Sequence, residues 1–307
     1  MRSLLWSWLL SLVVAATLPA QTRNIAERLG YPANAKLLIL HADDLAVAHS
    51  VNVASLAALD SGAISSGSIM VPTPWLTEVA AYAKAHPNAD LGLHLTITSE
   101  WETYRWGSVA SADKVPSLLD RDGTFPRETQ VVATRASVAE VERELRAQID
   151  RAIEVGIRPT HVDSHMGALF STPELFATYV KVARHYRLPF LAMRGDKRNL
   201  PQPPLSIHDV LLDTLIAADV SVPRDRWAQF YLDAIANLKP GLTEMLVHLG
   251  HDDAELQAVM VNHEPYGSTW RQRDYDVVRS AEFRRALKSN NVILVTWREL
   301  QTLNPQP

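Results

Sequence analysis

Short apolar runs alternate along the chain with longer segments whose apolar positions recur at helical spacing. The runs are Leu37–Leu40, Ser68–Val71, Leu91–Leu95, Thr160–Asp163, Phe190–Met193, Glu244–His248 and Val292–Thr296. Each is too short for a helix and reads as a buried strand. The clearest helix opens at Ser137, with Glu140 placed for a capping box. Val138, Val141, Leu145, Ile149 and Ile153 then form an apolar stripe, and Gly156 suits the stop. This alternation predicts an α/β fold, a single-domain (β/α) barrel-like arrangement of about seven parallel strands. An open doubly wound sheet satisfies the same pattern.

The polar residues that end the runs add chemistry to this picture. His41, Asp43 and Asp44 follow the first run, His94 ends the third, and Asp163, Ser164 and His165 follow Thr160-His161-Val162. Arg194 follows Phe190–Met193, and His248 follows Met245-Leu246-Val247. In a parallel barrel these ends meet on one face, where such enzymes keep their sites. Two adjacent carboxylates are costly to bury unpaired. A cation would remove that cost and leave one carboxylate free as a base; the alternative is a turn that caps the next helix at Ser50. A His, His, Asp set suits a cation with open positions, and Asp44, His94 and His165 supply one from three strand ends.

Two segments lack the strand–helix rhythm. Residues 98–135 carry Trp101, Tyr104 and Trp106; residues 195–227 carry Pro201, Pro203, Pro204 and Trp227. They leave the polar face and either wall a cleft, where aromatic rings stack on sugars, or pack the loops onto the barrel.

Composition narrows the possibilities. The 307 residues are 47% hydrophobic and 21% charged, with a formal charge of -4. A nucleic-acid partner needs a concentrated basic surface and is not expected. Arg2, the apolar run Leu4–Val14 and the tail Ala15–Ala20 match a cleavable secretory signal over residues 1–20, with the catalytic domain following as 21–307. The run is short for a membrane span, which needs about 20 residues. The expected location is therefore secreted or periplasmic, with no stable span after cleavage. The chain has no cysteine, so any metal site must be built from His, Asp and Glu.

At this point the motifs resemble a known family. His-Ala-Asp-Asp-Leu-Ala (41–46) is similar to the Asn-Ala-Asp-Asp-Phe-Gly signature of YdjC-like carbohydrate deacetylases, the ChbG/HpnK group related to polysaccharide deacetylases. Gly92-Leu93-His94-Leu95-Thr96 resembles that family's His segment, and Pro159-Thr160-His161-Val162-Asp163-Ser164-His165 its Pro-Thr-His-x-Asp-Ser-His block. Glu244–Gly250 resembles its late His-Pro-Gly segment, and Arg298-Glu299-Leu300 its C-terminal end. The matches run in family order over residues 36–300. There are departures: His41 replaces Asn, Leu45-Ala46 replaces Phe-Gly, Met166-Gly167-Ala168 replaces a histidine-rich run, and Leu249 replaces Pro.

The resemblance implies a barrel-like α/β fold and metal-dependent removal of N-acetyl groups from an amino sugar, oligosaccharide or glycan. It implies Asp44, His94 and His165 as ligands of one divalent ion, Zn²⁺ or Mg²⁺, and Asp43 as the base. His248 would donate a proton to the leaving amine. Arg194 would orient Asp43 or hold a substrate hydroxyl, unless it pairs with Asp196 or Asp163. His161 reads as structural, and His49 and His251 as surface residues. Two rivals remain on the sequence: another metal hydrolase of phosphoesterase type, and a catalytically silent carbohydrate-binding protein.

Overall fold

In a computed structural model of the chain, residues 24–194, 205 and 209–303 are described. The expected signal (1–20) and Pro201, Pro203 and Pro204 lie outside these residues.

The first apolar run becomes the centre of the sheet. β1 (Lys36–Leu45) is buried from Leu37 onward, as a strand covered on both faces must be. One edge pairs with β6 (Gly241–Val247) from Lys36 to Ala42. The other edge is shared. β7 (Val292–Leu294) takes Lys36–Leu38, and β2 (Ser66–Ile69) takes His41 onward. β3 (Leu91–Leu95) lies beside β2 and β4 (Val162–Ser164) beside β3, while β5 (Thr214–Ala217) lies outside β6. All pairings are parallel, giving one curled sheet in the order β4-β3-β2-β1-β6-β5 with β7 on β1. Its two ends are bridged by residues 189–194. Leu191 N donates to Val162 O, Arg194 N to Leu212 O, and Leu212 N back to Ala192 O.

Six of the seven predicted runs are strands. Phe190–Met193 is not; it makes only the single bridges Val162↔Phe190 and Met193↔Leu212. β5 was not among the predicted runs: Leu215-Ile216-Ala217 is apolar but short, and three of the strand's four residues are exposed.

The predicted helix is Val138–Glu154, with Val141, Leu145 and Ile149 fully buried. The ends of the expected stripe are not buried: Val138 and Ile153 are exposed. The capping box does not form either. Ser137 makes no side-chain cap bond, and Glu140 accepts instead from Ser117 N at 2.7 Å. The loop beneath the helix has recruited the acid.

Two buried polar residues of this helix fix the segment after β3. Gln148 exchanges two hydrogen bonds with the backbone of Thr96, and Glu144 accepts from Val109 N and Ala110 N. Trp101 and Trp106 are buried within that segment, with Trp106 Nε1 donating to Thr98 O. They pack the loop and do not line a cleft. Trp227 is likewise buried, donating to Asp274. Among the described residues, no helix is long and apolar enough to cross a membrane.

Candidate active site

β1 ends in a distorted turn. Its register with β2 slips between Ala42 and Leu45, and Asp44 (φ 62°) and Ala46 (φ 77°) adopt the left-handed region. Asp tolerates that conformation better than most residues, and here it swings the Asp44 carboxylate into the face of the sheet. Ala46 is held there by three bonds: its N donates to Asn52 Oδ1 (2.7 Å), and its O accepts from Thr73 Oγ1 (2.7 Å) and Trp75 N (3.2 Å). Glycine is relieved of the Cβ clash at such a φ, so the Gly of the resembling signature has a mechanical reason. Ala46→Gly is expected to raise stability by about 1 kcal/mol, measured as a denaturant midpoint at unchanged slope. An unchanged or lower midpoint would show that Ala46 bears no strain.

Asp44 meets two histidines from neighbouring strand ends. Its Oδ1 lies 3.4 Å from His94 Nε2 and 3.3 Å from His165 Nδ1. Each imidazole is fixed through its other nitrogen. His94 Nδ1 contacts Asp163 Oδ1 at 2.6 Å, and His165 Nε2 contacts Glu100 Oε2 at 2.9 Å. A carboxylate behind a ligating histidine orients the ring and raises its basicity. The second Asp44 oxygen accepts from the Arg271 guanidinium at 2.7 Å, in a pair that is buried on both sides.

The electrostatics follow from these contacts. Burial raises the Asp44 carboxyl, but Arg271 and then the two histidines outweigh it and hold it well below the usual range. Burial lowers His165, yet Glu100 and Asp44 together push it up to about 10. His94 is raised in the same sense, by Asp163 and the acidic pair against burial. Asp163 stays ionised despite burial because His94 and His41 face it.

Asp43 lies at the rim of this group. Its Oδ1 is 3.4 Å from His248 Nε2 and its Oδ2 is 3.7 Å from His94 Nε2. His248 follows β6, and its backbone N donates to Asp274 Oδ2. Asp274 is itself held by Trp227 Nε1 and Tyr231 OH. Asp43 Oδ1 and Asp44 Oδ1 are buried oxygens without a hydrogen-bond partner.

Does this donor set fit a cation? Three groups of ligand-type atoms lie within 4.8 Å of one another among the described residues: Asp44, His94 and His165; Asp43, Asp44 and His248; and His41, His161 and Asp163. The first fits best. A tetrahedral ion with bonds of about 2.1 Å sets its ligands roughly 3.4 Å apart, close to the two Asp44–imidazole distances. Its carboxylate oxygen is also the one left unpartnered. The third set is otherwise engaged. His41 is bonded to Ser66 and Ser68 (both 3.0 Å) and paired with Asp163 at 3.1 Å. His161 stacks on Trp297 at 5.1 Å, and burial keeps it neutral.

A cavity of about 530 Å³ opens over the group. Asp43, Asp44, His94, His165, His248 and Arg271 form its floor, and Glu100, Glu128, Met166, His263, Tyr266 and Trp270 complete the lining. Five residues of the sequence reading, Asp43, Asp44, His94, His165 and His248, are thus brought together. Arg194 is not. It is more than half exposed, and its Nε donates to Asp213 Oδ1 at 2.8 Å rather than to Asp43 or Asp163, while Asp196 lies outside the described residues. The backbone bridge from 189 to 194 turns it toward β5 and away from the cavity.

The basic partner of the acidic pair is instead Arg271, from the helix Ser268–Arg279. Neither it nor Glu100 was found in the sequence, where each is one charge among several in a polar segment. The aromatic lining, Tyr266 and Trp270, comes from the same late segment rather than from the loops expected to supply it.

A model of the YdjC-like protein family matches residues 37–289. The chain belongs to the YdjC-like family. A carbohydrate deacetylase of Thermus thermophilus is 33% identical over 91% of this YdjC-like chain and 98% of its own length. One from Geobacillus stearothermophilus is 28% identical over 86% of this chain and 98% of its own length. In three dimensions the chain is similar to an Enterococcus faecalis protein named for cellobiose-phosphate cleavage, with a TM-score of 0.74 and 23% identity over 87% of this chain and 99% of that one. That likeness shows the fold alone, a single α/β domain built on a curled parallel sheet.

Proposed function

We propose that this YdjC-like protein is a metal-dependent hydrolase that removes N-acetyl groups from an amino sugar or oligosaccharide. The observation that carries the reading is the convergence of Asp44, His94 and His165, each backed by a charged partner, beneath a cavity that also holds a free carboxylate, Asp43. The deacetylase relatives support the choice of substrate.

Asp44, His94 and His165 would hold one divalent ion. Their nitrogen-rich donors suit Zn²⁺, while Mg²⁺ prefers oxygen. Such an ion polarises the acetamide carbonyl and makes water more acidic. Asp43 accepts the proton of the attacking water, for which its unpartnered Oδ1 is available. His248, one-third exposed to the cavity and 3.4 Å from Asp43, delivers a proton to the leaving nitrogen. Water adds to the carbonyl carbon, the C–N bond breaks, and acetate and a sugar amine leave. The test is release of acetate from a panel of N-acetylated sugars by metal-loaded protein, with and without chelator. Release from none of them, or release unaffected by metal removal, would overturn the reading.

The histidine shifts give the reading a pH dependence. Both ligand imidazoles are raised, His165 to about 10, so each holds its proton more strongly than an ordinary histidine when no ion is bound. Ion and proton compete for the same nitrogens, so binding releases protons and tightens as pH rises. Competition with a chelator at pH 6 and pH 8 is expected to show tighter binding at pH 8. Equal affinity at both would remove the histidines from the ligand set.

We also propose that the enzyme acts outside the cytoplasm, on the basis of Arg2, the apolar run Leu4–Val14 and the tail ending at Ala20. N-terminal sequencing of exported protein should begin near Gln21; a start at Met1 would contradict this.

A further inference from the structure

Beneath the proposed ligands lies a second tier of bonds that the reaction does not use. His94 reaches Asp163 through Nδ1 at 2.6 Å, and Asp163 is held in turn by His41 of β1. His41 is fully buried and takes no part in the cavity lining. Its Nε2 sits 3.1 Å from Asp163 Oδ2 and 3.0 Å from Ser68 Oγ, which itself donates to the same Oδ2 at 2.8 Å. Its Nδ1 is 3.0 Å from Ser66 Oγ. Ser66 donates to Asp90, whose carboxylate accepts from Trp297 N and Arg298 N at the start of the helix Trp297–Gln301. A continuous line of bonds thus runs from that last helix, across the sheet, to an imidazole of the proposed ligand set. His41 is the link that ties β1 to β2 and β4.

An apolar side chain would fill this place without the cost of burying an imidazole, a cost that is offset only when the ring nitrogens find partners. Both nitrogens of His41 have them. Asp163 is ionised and can only accept, so the hydrogens aimed at Oδ2 come from Ser68 and His41. With Oδ2 pinned from two strands, the carboxylate cannot turn, Oδ1 stays aimed at His94 Nδ1, and the ring presents Nε2 to Asp44. The resembling signature has Asn here. An Asn amide ends where Nδ1 lies and falls short of Asp163, so this contact belongs to the histidine of this chain.

We propose that His41 is a positioning residue for the metal: through Asp163 it fixes the orientation of His94 and so sets the affinity and geometry of an ion held by Asp44, His94 and His165. The proposal rests on the metal-dependent reading of the site and deepens it. Removing an outer partner of a ligating histidine costs about 10–100-fold in metal affinity, and His41, one bond further out, belongs at the lower end of that range.

The test compares His41→Gln, His41→Asn and His41→Leu. A Gln amide nitrogen reaches as far as Nε2 and can still donate to Asp163; Asn can serve Ser66 alone; Leu serves neither. Zn²⁺ affinity is measured by competition with a chelator, and the visible spectrum of the Co²⁺-loaded proteins reports the ligand geometry, both without substrate. Asn and Leu should bind Zn²⁺ about tenfold more weakly and shift the Co²⁺ bands, while Gln should keep the affinity and bands of the parent. On an N-acetylated disaccharide at saturating metal, KM should be unchanged in all three, because His41 does not face the cavity, and kcat should fall in Asn and Leu alone. Parental affinity and spectrum in His41→Asn overturns the proposal. A Gln variant as weak as Leu overturns it too, because the imidazole would then act by filling space. The comparison of Asn with Gln decides the matter even where Leu fails to fold. If affinities and spectra follow the expected order but none of the proteins releases acetate, the positioning role stands and the deacetylase reading falls. If acetate release depends on metal but affinity is indifferent to residue 41, the deacetylase reading stands and the positioning role falls.

Discussion

Asp43→Asn is expected to bind its metal as the parent protein does and to lose about 10²–10⁴-fold in kcat, the scale of general-base catalysis. Asp43 is the carboxylate of the adjacent pair that no guanidinium holds. Its Oδ1 is unpartnered and its nearest charged neighbour is His248 at 3.4 Å. The carboxamide is nearly isosteric, so the fold is not at issue, and it cannot take a proton from water. Asp44→Asn is the contrasting variant. It alters the one carboxylate that contacts both imidazoles, and it should lose metal affinity and activity together. Metal content and kcat measured on both variants separate the roles. Loss of metal from Asp43→Asn with activity kept on reloading would mean that Asp43 and Asp44 exchange places, using the overlapping set with His248.

Arg271→Met should cost the metal-free protein about 3–5 kcal/mol, the usual penalty for leaving a buried charge without its partner. Asp44 and Arg271 are both about 95% buried, and the pair at 2.7 Å is what keeps Asp44 ionised against its own desolvation. The guanidinium also lies 5.8 Å over the Trp101 ring, so its loss loosens the wall of the loop after β3. A divalent ion supplies positive charge to the same carboxylate and binds only the folded state. Saturating metal should therefore restore more stability to Arg271→Met than it adds to the parent. The check is denaturant unfolding of both proteins with and without Zn²⁺. A variant as stable as the parent without metal would show that Asp44 does not depend on Arg271.

What the sequence disclosed follows a physical rule. Asp43, Asp44, His94, His165 and His248 each end or follow a buried run, and parallel strands carry the residues at their C-terminal ends to one face. Their convergence was therefore readable before any coordinates. Arg194 also follows an apolar run, but that run is a two-bridge connection across the closing edge of the sheet, and its side chain is taken by Asp213. Periodicity cannot tell a strand from such a bridge. Arg271, Glu100 and Tyr266 were invisible for another reason. They sit on a helix and on loops whose path is set by long-range bonds, such as Gln148 to Thr96 and Glu144 to Val109, which leave no local pattern. The same limit explains the aromatic residues. Trp101 and Trp106 look like a sugar platform in the sequence, and only packing reveals that they are buried while Tyr266 faces the cavity. His41 is a third case. It stands where the resembling signature has Asn, and in the fold it bonds two serines of β2 and pairs with Asp163, the residue that orients His94.

The most direct measurement is a titration of metal-stripped protein with Zn²⁺, following acetate release from an N-acetylated disaccharide at each addition. Activity should rise linearly and break at one equivalent per chain, with Asp44→Asn showing no rise at the same concentrations. Full activity before any metal is added, or a break at two equivalents, would contradict a single ion held by Asp44, His94 and His165.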